Sequence, residues 1–150
     1  MTPNPSAHQE DFTDCAKRNF KFLLEHFGFT TAVTKYESRV FAKEFLEFEL
    51  GWYKGEVDAS FNVLLENNVF RPYVSRRFYL GEVVRRVDAN AFVQRPSLPR
   101  WALSVDDADC FLQYYAELMQ KFCLPILQGD LSVLEAITHE RRAQDKANKP

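Results

Sequence analysis

The run from Phe45 to Glu66 constrains this chain more than any other part of it. Two stretches of alternating apolar and polar residues flank Lys54-Gly55, a pair suited to a two-residue hairpin turn. A turn of that length fixes the register. Trp52 then faces Val57, Leu50 faces Ala59, Phe48 faces Phe61 and Leu46 faces Val63. On the other face Tyr53 meets Glu56, Gly51 meets Asp58, Glu49 meets Ser60 and Glu47 meets Asn62. One face is apolar at every step and the other almost wholly polar. An antiparallel sheet covered on one side requires this, and a one-residue slip would exchange the two sets.

The flanks supply the layer that covers the apolar face. Phe12, Ala16, Phe20, Leu23, Leu24 and Phe27 recur at helical spacing, which predicts a helix over 11–27 with Gly28 as its left-handed cap. The β-branched run Thr30 to Tyr36 predicts a first strand, and 37–44 either extends it or begins the next. Phe70 to Phe78 reads as loop or a fourth strand, with Pro72 counting against the strand. Leu80, Val83, Val84, Val87 and Ala91 fit a short helix, and Pro96 to Arg100 a connector. Ser104, with Asp106 and Asp107, has the chemistry of a helix start. The apolar stripe that follows runs through Ala108, Phe111, Leu112, Tyr115, Leu118, Met119, Phe122 and Ile126, and Pro125 should loosen its end. Asp130 caps a last helix through Leu131, Leu134 and Ile137. The expected fold is α+β: a three- to four-stranded antiparallel meander with helices on one face, in the order α-β-β-β-(β/α)-α-α. Residues 1–9 are expected to be a disordered lead, 10–143 a single domain and 144–150 a frayed polar tail.

A chain of 150 residues is long enough for one sizeable core. Its 14 phenylalanines fall mostly on the periodic apolar faces, which makes them core first and the lining of a pocket second. Cys15, Cys110 and Cys123 are odd in number and lack metal-ligand spacing. Cys110 and Cys123, on one helix, would stand roughly 20 Å apart, too far for a disulfide. Buried free thiols in a reducing cytoplasm are the expectation. No apolar run suggests a signal peptide or a membrane span.

No motif in the chain carries a reaction. His8, His26 and His139 lie apart from one another and from any cysteine or carboxylate at ligand spacing, so neither a metal nor a cofactor is expected. There is no phosphate loop, nucleophile elbow or zinc-protease helix. What stands out is charge. Residues 37–66 hold seven acids and three bases, whereas 67–100 hold seven arginines (Arg71, Arg76, Arg77, Arg85, Arg86, Arg95 and Arg100) and two acids. The arginines either pair internally with the acidic hairpin or form a second surface, since their forks suit carboxylates and phosphates. The net charge of −2 weighs against bulk attraction to nucleic acid or membrane.

Several short words carry a resemblance: Phe22-Leu23-Leu24-Glu25-His26-Phe27-Gly28-Phe29, Tyr36-Glu37-Ser38, the acidic hairpin, and Ile126-Leu127-Gln128-Gly129-Asp130-Leu131. They resemble small bacterial proteins, some similar to the immunity proteins of polymorphic-toxin systems. That resemblance implies a cytoplasmic α+β domain that binds a cognate toxin and catalyses nothing. The expected contact surface is the polar sheet face with Glu47, Glu49, Tyr53, Glu56 and Asp58, which would steer a basic protein partner. The alternative is a small-molecule-binding protein or enzyme with an aromatic pocket between sheet and helices.

Overall fold

The hairpin has the register that its alternation predicts. All eight pairs from Leu46↔Val63 to Tyr53↔Glu56 are present, with Trp52 opposite Val57 and Phe48 opposite Phe61. Lys54 and Gly55 both have positive φ, 50° and 80°, so the turn twists with the strands rather than against them. Lysine is a poor choice at its position, because its Cβ crowds the following carbonyl in the left-handed region. Lys54→Asn should therefore stabilise the protein by up to about 1 kcal/mol, readable as a raised urea midpoint.

The computed structural model describes residues 10–33, 38–64 and 77–148. It contains one antiparallel sheet whose spatial order follows the chain: β1 (Thr30–Val33), β2 (Ser38–Lys43), β3 (Leu46–Tyr53), β4 (Glu56–Val63) and β5 (Arg77–Tyr79). Two helices precede it, α1 (Phe12–Asn19) and α2 (Lys21–His26). Four follow, α3 (Leu80–Val87), α4 (Val105–Phe122), α5 (Leu124–Leu127) and α6 (Ser132–Asn148). The α+β class and the antiparallel meander agree with expectation, but the strands number five rather than three or four. The strand hardest to foresee is β2. Val40 and Phe41 point to opposite faces yet both are buried, so the segment lacks the alternation of a half-exposed strand. Residues 34–36 of the expected first strand and 70–76 of the possible fourth lie outside the described residues, as does the lead 1–9.

A single row of rings ties the sheet to its helical layer. Register places Phe41, Phe48, Phe61 and Phe78 side by side across β2 to β5, and all four are fully buried. Phe20, at the junction of α1 and α2, packs on this row, 5.2 Å from Phe48 and 6.0 Å from Phe41 between ring centres. The first helix is therefore two. The chain breaks pitch at Phe20 so that one ring reaches the centre of the sheet. At the start of α1, the Asp11 carboxylate accepts from the Asp14 amide at 2.9 Å, while the Asp14 carboxylate accepts from the Asp11 amide at 3.2 Å. This reciprocal cap satisfies two amides that have no partner inside the helix.

Beyond the sheet, Ser104 caps α4 by accepting from the Asp107 amide at 3.1 Å. Pro125 does more than loosen the end of that helix. The helix stops at Phe122, Cys123 caps it, and the proline opens the separate turn α5, where its missing N–H costs nothing. Asp130 accepts from both the amide and the hydroxyl of Ser132 at the start of α6, and these bonds hold its carboxyl below the usual range. α6 continues past His139 to Asn148. Arg141 fastens it there, donating to Glu82 at 2.8 Å and to the Arg77 carbonyl at 3.0 Å with its guanidinium 4.5 Å over Phe78. Of the three thiols expected to be buried, Cys15 and Cys123 are, but Cys110 is exposed on the outward side of α4.

Candidate functional site

β5 ends at Tyr79, and this end opens the site. It pairs with Ser60, Phe61 and Asn62 of β4, so Val57 to Ala59, paired to β3 on one side, have no described strand on the other. The chain turns directly from Tyr79 into α3, and the connector 88–104 returns past the uncovered half of β4 to reach α4. Between these elements lies a cleft of about 620 Å³. Its geometry is tied down on two sides. The connector is held to the hairpin tip: the Ala102 amide donates to the Gly55 carbonyl at 2.8 Å, and Trp52 Nε1 donates to the Ala102 carbonyl at 2.9 Å. α4 is held to the free strand edge, because the Tyr115 hydroxyl donates to the Val57 carbonyl at 2.9 Å.

Aromatic rings form the cleft's body. Phe111, Tyr114 and Tyr115 reach into it from α4, Phe92 from the connector and Tyr79 from the end of β5. Arg85, Arg95 and Arg100 stand at its walls, with Asp58 as the one carboxylate among the lining residues. Arg85 stacks 4.9 Å above the Phe92 ring. None of the three guanidinium groups makes an ion pair with a described residue. The cleft therefore holds three positive charges against one negative charge, in a chain that is acidic overall.

The two tyrosines differ in a way that matters. Burial, reinforced by Asp58 and Tyr114 and opposed by Arg95, pushes the Tyr115 hydroxyl up to about 12, and its proton is already committed to Val57. Burial also raises Tyr114, with Arg95 pulling the other way and Glu117 adding to the rise. Tyr114 is 8% exposed, and its hydroxyl is buried with no hydrogen-bond partner among the described residues. Leaving such a group unsatisfied costs about 1–3 kcal/mol. Tyr114→Phe should accordingly stabilise the ligand-free protein by about 1 kcal/mol, where removing a hydroxyl from a satisfied site would destabilise it; urea melts decide the sign.

The acidic sheet face expected as a contact surface is divided. Glu49 lies on the inner part of that face and is occupied: it accepts from Arg77 and from Asn62, each at 3.3 Å. Beside it in register, Val40 and Ser60 are buried, and Glu47 is half-buried, so this part is not the open wet surface that the alternation implies. Toward the hairpin tip the face is open. Tyr53 is 70% exposed, Glu56 and Asp58 are exposed, and neither acid makes an ion pair with a described residue. Asp58 belongs to both features, since it also lines the cleft.

The arginine excess in 67–100 resolves in the same way. Arg77 pairs with Glu49 and Arg86 with Glu140, while Arg85, Arg95 and Arg100 gather at the cleft; Arg71 and Arg76 lie outside the described residues. Tyr114 is the lining residue that the sequence reading passed over. Its signal was present, because Tyr114 stands three residues after Phe111 and four before Leu118, at the margin of the stripe that holds both. Among the described residues no three His, Cys, Asp or Glu side chains gather closely enough to hold a metal ion, and no helix is long and apolar enough to cross a membrane. Compared with known proteins, the chain matches no family model, no curated protein and no solved structure.

Proposed function

We propose that this protein is a binding protein and that the cleft between β4, α3, the connector and α4 takes a small molecule. The observation that carries this reading is the lining of the cleft: three guanidinium groups without an ion pair to a described residue share one concave space with five aromatic rings. The volume and the mix of rings with a few polar groups are those of a small-molecule site. A fragment screen followed by amide NMR tests it. Binding fragments should shift the amides of Gly81, Phe92 and Tyr114 together. Hits that perturb only other surfaces would overturn the proposal.

The hairpin tip supports a second reading, a contact surface for a basic protein such as an immunity-like domain would grip. Its support is Tyr53 flanked by Glu56 and Asp58, all three exposed, with Glu47 and Glu49 further along the strand. Tyrosine at the centre of an acidic rim is a common anchor. Glu56→Lys alters an exposed side chain that does not line the cleft and should leave the fold intact, because exposed charges add little to stability. It should slow association with a basic partner several-fold at low salt. Biosensor kinetics check it, and an unchanged association rate would remove this reading without touching the cleft.

A further inference from the structure

We infer that the ligand of the cleft is an anion built on a flat ring: an aromatic or planar unsaturated body that carries a carboxylate or a phosphate. The inference rests on the cleft being a binding site and goes on to name what binds. Three observations converge on it.

First, Arg85, Arg95 and Arg100 line one cavity and none spends its charge on a carboxylate of a described residue. A planar guanidinium matches the two oxygens of a carboxylate or phosphate, which a point charge such as lysine does not do. Arg95 acts electrostatically on both Tyr114 and Tyr115, so the positive field reaches into the cleft. Second, Asp58 is the one carboxylate among the lining residues, so the guanidinium groups meet little internal competition for an anion. Third, five rings line the space alongside its aliphatic residues. Phe92 is already sandwiched on one face by Arg85, and the α4 rings stand 6.2 to 6.3 Å apart in the pairs Phe111–Tyr115 and Tyr114–Tyr115. A flat ligand stacks against such walls. Asp58 sits beside Tyr115 and repels an anion, so the charged end of the ligand should lie toward Arg95 and Tyr114 and the neutral ring toward Tyr115.

Calorimetry with four probes tests the inference: 1-naphthyl phosphate, 1-naphthoate, the neutral 1-naphthamide and inorganic phosphate. The two ring anions should bind at least about tenfold more tightly than the amide, and more tightly than inorganic phosphate. Arg95→Gln and Arg100→Gln alter exposed side chains and should leave the fold unchanged, yet each should weaken the ring anions about tenfold and the amide hardly at all. If the amide binds as well as the anions, the ligand class is wrong and the cleft reading stands. If inorganic phosphate binds as tightly as the naphthyl phosphate, the ring half of the inference falls. If no probe binds at millimolar concentration and no fragment shifts the cleft amides, both the inference and the cleft reading fall.

Discussion

Phe48→Ala should lower the free energy of unfolding by about 3–5 kcal/mol. The ring is fully buried at the middle of the row Phe41, Phe48, Phe61 and Phe78, and stands 5.1 Å from Phe61 and 5.2 Å from Phe20. Removing it takes away its own transfer free energy and leaves a void bounded by other rings, which cannot all collapse inward together. A small domain has about 5–15 kcal/mol in total, so the variant should be close to unfolding at body temperature. Urea melts followed by circular dichroism give the number. A loss under about 1 kcal/mol would mean that the ring is not enclosed and that the face assignment of the whole hairpin is wrong.

The second large effect is alkaline. Burial pushes the Cys123 thiol from 9.0 up to about 12, and the Tyr115 hydroxyl from 10.0 up to about 12. Both groups are neutral when protonated, and both are raised in the folded state. The folded protein therefore keeps these protons at a pH where the unfolded chain has released them. Their stabilisation is fully present below pH 9 and is lost as pH rises from 9 toward 12. At about 1.36 kcal/mol per pH unit, the thiol alone accounts for roughly 4 kcal/mol, and the half-buried hydroxyl for about 1–3 more. Cys15, pushed up to about 11 by burial and by Glu10, adds to the same trend. Melts at pH 8 and pH 11 should show the drop, and Cys123→Ala should remove about half of it. An equal drop in that variant would clear the thiol of responsibility.

How far this architecture could be read from the chain depends on whether a segment's neighbours are local. The hairpin was legible because its period and its turn residues lie within twenty-odd positions, and its register follows from them. β2 was not, because it is covered on both faces and alternation is the mark of coverage on one. The split at Cys123 turned on a choice between two roles of Pro125, kinking one helix or starting another, and both are consistent with proline's fixed φ. The site was legible only in fragments. The arginine excess and the aromatic stripe of α4 were visible as composition and period, but no local pattern says that β5 stops at Tyr79. The cavity exists because it stops there.

The two hydrogen bonds that pin Ala102 to Gly55 and Trp52 have a practical consequence. The chain has two tryptophans, and both sit on this joint. Trp52 donates its indole proton to the connector, while Trp101 is 45% exposed with the Arg100 guanidinium 6.0 Å from its ring. If the cleft takes an anion that draws Arg100 inward, as proposed, a cation leaves one indole, and intrinsic fluorescence would serve as an unlabelled gauge of cleft occupancy. Its quenching or blue shift would follow a titration in real time, in the native protein and at nanomole scale.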